Sequence, residues 1–197
     1  MATLLFDVMD TLVHDPFYAE VLDFFGMPLE DLFAIKSKEA WIEFECGRMS
    51  EDELVHTYFT DGRPLDLPGL RACMSRSYRW LDGMETLVAR LRDAGHDLHA
   101  LSNYPIWSEL LDDAVGVSAY VPWTFVSWKT GVRKPDPRAY LGAAQRLAVP
   151  PETCVFIDDR EKNCAAARAT GMQAIRFQSA DALSPALDDI LRRLPDG

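Results

Sequence analysis

The chain has 197 residues, of which 48% are hydrophobic and 26% charged, with 12 prolines spread along it; this excludes a disordered or fibrous protein and leaves room for one α/β core plus an insertion. A formal charge of −11 excludes a phosphodiester-binding surface built on clustered Lys and Arg, so no nucleic-acid partner is expected. No window offers the roughly 18 uninterrupted apolar residues of a membrane helix, so no membrane partner is expected either.

The first residues, Met1-Ala2-Thr3-Leu4-Leu5-Phe6, run into an apolar strand without a basic region or a small-residue cleavage site, which points to a cytoplasmic protein. Cys46, Cys73, Cys154 and Cys164 lack CxxC or His-paired zinc spacing and read as buried free thiols. Nothing in the composition fixes an oligomeric state.

In chain order, Thr3 to Val8 predicts a short buried strand whose apolar run ends abruptly in Asp7. From Asp15 to about Leu81 the pattern turns helical: Phe17, Val21, Leu22 and Phe25 recur at helical spacing, and Gly26-Met27-Pro28 breaks the run. Ser50 stands three residues before Glu53, a capping-box signature opening a helix through Leu54, Val55 and Tyr58, and Asp61-Gly62-Arg63-Pro64 ends it. After Gly83 the rhythm becomes βα. A helix through Leu87, Val88 and Leu91 stops at Gly95, and strands are predicted at Asp97 to Leu101, Phe125 to Ser127, Cys154 to Ile157 and Ala174 to Arg176. Helices are predicted from Pro137 to Ala148, from Glu161 to Thr170, and last to near Leu194. Such alternation implies an α/β fold with a parallel sheet covered on both faces: residues 1–14 and 82–197 form the core, and residues 15–81 a helical block inserted after the first strand.

Four polar clusters fall at the carboxyl ends of predicted strands, where ligands bind in such sheets. They are Asp7-Val8-Met9-Asp10-Thr11, Leu101-Ser102-Asn103-Tyr104, Arg133-Lys134-Pro135-Asp136 and Ile157-Asp158-Asp159-Arg160. Singly, each has an ordinary explanation as a turn, a cap or an ion pair. Jointly they hold a carboxylate nucleophile, a small hydroxyl, a lysine and a carboxylate pair, which is the equipment of phosphoryl transfer with a divalent ion.

In these motifs the chain resembles the haloacid dehalogenase superfamily, as Phe6-Asp7-Val8-Met9-Asp10-Thr11-Leu12, Leu101-Ser102-Asn103, Lys134-Pro135-Asp136-Pro137, and Phe156-Ile157-Asp158-Asp159 followed by Asn163. The resemblance implies a Rossmann-like core, with the helical block as a cap over a small phosphorylated substrate. It implies that Asp7 attacks phosphorus and becomes an aspartyl phosphate, that Ser102 and the Asn103 backbone hold phosphate oxygens, and that Lys134 orders the nucleophile. It also implies Mg²⁺ on Asp7, the Met9 backbone carbonyl, Asp158 and Asp159, with Asp159 the more direct ligand of the pair; an all-oxygen set suits that ion.

One departure stands out. The phosphatase pattern has a second aspartate two residues after the nucleophile, acting as general acid and then base, and here that position is Met9, with Asp10 in the usual place of glycine. Two roles for Asp10 stay open, a catalytic one supplying the missing proton transfer and a structural one. The departure also keeps two alternatives in play: a metal-independent dehalogenase-like hydrolase using Asp7, and a catalytically impaired phosphate or nucleotide binder. Against the former stand Asp158 and Asp159, which would repel Asp7 unless a cation sat among them.

Asp15-Pro16-Phe17-Tyr18, Trp41-Ile42-Glu43-Phe44-Glu45 and Asn103-Tyr104-Pro105-Ile106-Trp107 further resemble a plant and bacterial subgroup, which includes a chloroplast FMN hydrolase and shares the Met-Asp departure. Trp41, Trp107 and Trp128 fall in segments able to face a cleft between cap and core, where a flat isoalloxazine ring would stack, and Tyr104 is taken with Trp41 as substrate-binding. Glu43 and Glu45 are candidates for ribityl or ring contacts, His14 for an auxiliary proton donor, and His56, His96 and His99 are assigned no role.

Overall fold

The protein is described here by a computed structural model, which covers residues 2–194. β1 (Thr3–Phe6) is buried at every position, as a central strand covered on both faces must be. It ends before the predicted Val8, because the Val8 carbonyl accepts from the amides of Thr11, Leu12 and Val13 instead of from a neighbouring strand. That carbonyl organises a tight loop directly behind Asp7.

Between β1 and the next strand lie α1 (Glu20–Phe25), α2 (Leu29–Ile35), α3 (Lys38–Glu45), α4 (Glu51–Thr57), α5 (Leu67–Ser77) and α6 (Met84–Asp93). Gly26 ends α1 at φ 63°, a left-handed conformation cheap only without a Cβ. The capping box at α4 is formed: Glu53 N donates to Ser50 Oγ at 3.3 Å, and Ser50 N donates to Glu53 Oε2 at 2.8 Å. These bonds satisfy amides that the first helical turn cannot pair internally.

The βα part comprises β2 (Asp97–Ser102), α7 (Ser108–Val115), β3 (Phe125–Val126), α8 (Ser127–Thr130), α9 (Pro137–Leu147), β4 (Cys154–Asp158), α10 (Glu161–Ala169), β5 (Gln173–Arg176) and α11 (Ala180–Arg193). Helices α7 and α8 were not anticipated from periodicity, and β3 keeps only two residues because Ser127 already begins α8.

The sheet order is β3-β2-β1-β4-β5 and every pairing is parallel, with Phe6 opposite both Ala100 and Ile157. The chain builds outward from β1 to β3 and then returns to the other side of β1 with β4. The direction of winding therefore reverses between β1 and β4, and the crevice at their carboxyl ends is where open α/β sheets bind ligands. Asp7 follows β1, and Asp158 closes β4.

Strand alternation divides the core. Leu4, Phe6, Ala100, Val155 and Ile157 belong to one cluster, Leu5, Leu101 and Phe156 to another beneath Tyr140, Ala143 and Ala144 of α9. The first cluster runs without a break into Val21, Leu32, Phe44, Leu54 and Tyr58 of the inserted helices. All four cysteines are free and buried. None of the described helices is long and apolar enough to cross a membrane.

Removing the α4 cap in Ser50→Ala is expected to cost about 1 kcal/mol. It should lower the urea midpoint without changing the slope of the transition, and a broadened or biphasic curve would show that the inserted helices unfold apart from the sheet.

Candidate active site

Asp7 sits at the crevice with its carboxylate nearly buried. Its Oδ1 takes three donors: Val8 N at 2.7 Å, Ser102 Oγ at 2.9 Å and Lys134 Nζ at 3.0 Å. Oδ2 accepts no hydrogen bond among the described residues. One oxygen is thus held on three sides while the other is left for chemistry.

Lys134 is buried and also reaches Asp158 Oδ2 at 2.6 Å. Burial disfavours its charge, but Asp7 and Asp158 outweigh that and raise its pKa, so it stays an ammonium. Its backbone is clamped by Asn103, which accepts from Lys134 N at 2.7 Å through Oδ1 and donates to Lys134 O at 2.9 Å through Nδ2. Asp158 is saturated: Arg160 N donates to Oδ1 at 2.8 Å, and Asn163 Nδ2 lies 3.0 Å from both oxygens.

Asp159 contrasts with its neighbour. Its amide donates to Thr11 Oγ1 at 3.2 Å, but its Oδ1 is buried without a hydrogen-bond partner among the described residues, and Arg160 approaches Oδ2 only to 3.7 Å. Asp7, Asp158 and Asp159 each offer an oxygen within 4.8 Å of the others. Burial, followed by the charge of Asp158, pushes the Asp159 carboxyl up to about 6. Burial likewise pushes Asp7 up to about 7, with Asp158 and Asp159 adding to it and Lys134 opposing. An orphaned buried oxygen beside two further carboxylates fits a hard divalent cation. The Met9 carbonyl accepts no backbone hydrogen bond among the described residues, so it too is open.

These groups form one end of a cavity of about 510 Å³, within the usual size of small-molecule sites. The other end lies among the inserted helices. Trp41, Tyr58 and Phe17 surround the Lys36 ammonium at 4.6, 5.3 and 5.7 Å from their ring centres, and burial lowers the Lys36 pKa to about 8. Glu45 accepts from Trp41 Nε1 at 3.1 Å and pairs with Arg133 at 2.8 Å.

Most of the residues singled out in the sequence meet here, since Asp7, Met9, Trp41, Asn103, Tyr104, Trp107 and Lys134 all line the cavity. Three do not. Trp128 is turned away, its indole donating to Ser108 Oγ at 2.9 Å. Glu43 is an exposed partner of Arg48, and His14 is occupied by Glu20 at 2.9 Å. Asp136 caps α9 and binds Arg138 at 2.6 Å. Asp10, at φ 53°, is absent from the lining, and its Oδ1 accepts from Asp15 N at 3.0 Å. Sequence reading passed over Lys36, Arg133 and Asp15 as site residues. Asp15 had a signal, a carboxylate directly after the nucleophile loop, whereas Lys36 among aromatics from separate helices had none.

A strand-end aspartate, a buried lysine and a carboxylate pair at the winding reversal of a parallel sheet define a hydrolase of the haloacid dehalogenase type. The profile of haloacid dehalogenase-like hydrolases matches residues 1–171, and the chain belongs to that family. Over 187 residues it is 48% identical to flavin mononucleotide hydrolase 1 of Arabidopsis thaliana, a chloroplast protein, covering 95% of this chain and 76% of that one. It is 26% identical over 163 residues to a sesquiterpene phosphatase of Aspergillus oryzae, covering 76% of this chain and 78% of that one. A haloacid dehalogenase family enzyme of Bacteroides thetaiotaomicron, solved with magnesium, shares the fold at a TM-score of 0.78 and 18% identity, over 95% of this chain and 98% of that one.

A carboxyl whose folded-state value lies above its unfolded value of 3.8 supports folding while protonated, and the support is lost as pH rises through the folded value. In EDTA the protein is therefore expected to lose stability from about pH 4 to about pH 7. Asp7→Asn should flatten that loss in urea melts, and equal slopes for both proteins would show that Asp7 is not held neutral.

Proposed function

We propose that the protein is a Mg²⁺-dependent phosphomonoester hydrolase that passes the phosphoryl group through Asp7, with FMN as its substrate. The observation that carries the reading is the trio Asp7, Asp158 and Asp159, whose oxygens lie within 4.8 Å of one another with Asp159 Oδ1 unpartnered. Two buried carboxylates, a half-buried third and one ammonium leave excess negative charge, which disfavours the metal-independent dehalogenase alternative.

Asp7, Asp159 and the Met9 carbonyl would hold the ion directly and Asp158 through its surroundings, since its own oxygens are already engaged. Bound there, Mg²⁺ supplies charge stabilisation for a transferring phosphoryl group. The protein's residues do the rest. Lys134 and Ser102 fix Asp7 Oδ1, leaving Oδ2 to form the bond to phosphorus. Ser102 and the Asn103 backbone hold the phosphoryl oxygens, and Lys134 offsets their charge.

The substrate assignment draws on the likeness to the Arabidopsis FMN hydrolase and on the aromatic end of the cavity. We take residues 15–81 to act as the cap, Trp41 and Tyr104 to flank a flat ring, and Lys36 to donate to an acceptor on its edge. The four free thiols fit a reducing compartment, in line with a cytoplasmic protein.

Phosphate release from FMN and p-nitrophenyl phosphate is expected with Mg²⁺ and not in EDTA, and Asp7→Asn should abolish it. Halide release from a 2-haloacid without metal, or tight FMN binding without turnover, would overturn the reading. Asp159→Asn should raise the Mg²⁺ requirement far more than Asp136→Asn, since Asp136 only caps α9. Lys36→Met should raise KM for FMN by roughly 10-fold or more, the worth of a charged hydrogen bond, while leaving p-nitrophenyl phosphate nearly unaffected. Equal changes for both substrates would remove Lys36 from ring recognition.

A further inference from the structure

We propose that Asp15 is the proton-transfer group of this hydrolase and that Asp10 is the residue that positions it, an assignment resting on the phosphatase reading above. The need arises at Met9, a thioether that holds no proton at neutral pH where the phosphatase pattern has an acid. Asp10 is adjacent but wrongly placed. Its backbone is left-handed at φ 53°, its amide donates to Val13 O at 2.7 Å, and its Oδ1 accepts from Asp15 N at 3.0 Å. That conformation is one of the few an aspartate adopts at small cost, and it directs the carboxylate to the next stretch of chain.

Asp15 has the opposite disposition. It lines the same cavity as Asp7. Its Oδ1 accepts from Phe17 N at 3.0 Å, capping the short turn Pro16–Tyr18, while Oδ2 makes no hydrogen bond among the described residues. The amide of Asp15 is tied to Asp10, and Pro16 is buried immediately after it, so the carboxyl is fixed at both ends. One oxygen is anchored, and the other is left without a hydrogen bond among the described residues, on a side chain that lines the cavity.

The groups around it suit a proton carrier. Asp10 and His14 share its loop, Arg160 comes from the turn after β4, and the hydroxyls of Tyr78 and Tyr104 meet at 2.6 Å nearby. Burial and Asp10 raise the carboxyl, the Phe17 amide, Arg160 and His14 lower it, and it stands at about 6. Near that value both protonation states are populated at neutral pH, as acid and then base catalysis require. The competitors are excluded on their own contacts: His14 is paired with Glu20, and burial keeps both tyrosines protonated.

The cycle balances. As Asp7 Oδ2 bonds to phosphorus and the ester P–O bond breaks, Asp15 gives its proton to the departing ester oxygen, releasing the alcohol. As water then attacks phosphorus and the Asp7–phosphorus bond breaks, the Asp15 carboxylate takes the water proton, and phosphate leaves with both aspartates restored.

The test is rapid-mix kinetics with Mg²⁺ on two esters. p-Nitrophenolate leaves without a proton, so Asp15→Asn is expected to give a burst of about one equivalent followed by turnover at least 10²-fold slower than wild type. FMN, with an alkyl leaving group, should show no burst. Added formate should restore turnover of p-nitrophenyl phosphate in Asp15→Ala, which a merely structural residue would not allow. Asp10→Asn keeps an oxygen for the Asp15 amide and should stay within several-fold of wild type, whereas Asp10→Ala should fall further and be insensitive to formate. Near-wild-type turnover in Asp15→Asn, or a loss in Asp10→Asn with a burst of its own, overturns the assignment while leaving the phosphatase reading intact. Absence of any phosphate release by the wild type sinks both.

Discussion

Lys134 lies where β1 and β4 end, its ammonium 3.0 Å from Asp7 and 2.6 Å from Asp158, with Asn103 holding its backbone from the tip of β2. One buried cation thereby ties together the tips of three strands and the turn that precedes α9. Removing one partner from a buried pair of this kind typically costs about 3–5 kcal/mol, because the group left behind stays buried and charged. The charge is still not balanced. Asp159 adds a third carboxylate, and its buried Oδ1 has no partner among the described residues. So much like charge gathered at one sheet edge works against stability, the mark of a functional rather than a structural cluster.

The inserted helices bear on the same point from above. Their apolar residues join the cluster that covers one face of the sheet, so the cavity roof is packed on the strands whose tips carry Asp7 and Asp158. Polar ties cross the seam as well. Tyr78 meets Tyr104 at 2.6 Å, Ser127 Oγ donates to the Glu45 carbonyl at 2.6 Å, and Arg133 pairs with Glu45 at 2.8 Å. Arg133 and Lys134 are neighbours in sequence yet serve opposite ends of the cavity. The lysine faces the carboxylate end, and the arginine, through Glu45 and Trp41, the aromatic end.

The loop after β1 shows how a fold absorbs an unusual residue. Met9 keeps the backbone carbonyl of the position while changing the side chain, and Asp10 takes a left-handed conformation that usually suits glycine. Replacing glycine there gains a carboxylate that anchors the following loop at Asp15. Under the assignment proposed for Asp15, the two departures at residues 9 and 10 are one change.

The sequence by itself determined the parallel α/β core, the helical insertion after β1, the capping box at Ser50 and the four strand-end clusters. These are local or periodic properties: apolar runs of strand length, helical spacing, and polar residues where those runs stop. It also determined the family, since Asp7, Ser102, Lys134 and Asp158-Asp159 keep their order and neighbours. Only the tertiary structure decided which polar groups face the cavity and which are spent on caps. Asp136 beside Lys134, and Asp10 beside Met9, look equally catalytic in one dimension, and each is engaged with the backbone of its own loop. Lys36, Trp41 and Tyr58 come from different elements, and Trp128 is turned away by a bond to Ser108. Side-chain direction depends on partners distant in sequence, so it is settled when the insertion packs on the sheet, not by the spacing of residues along the chain.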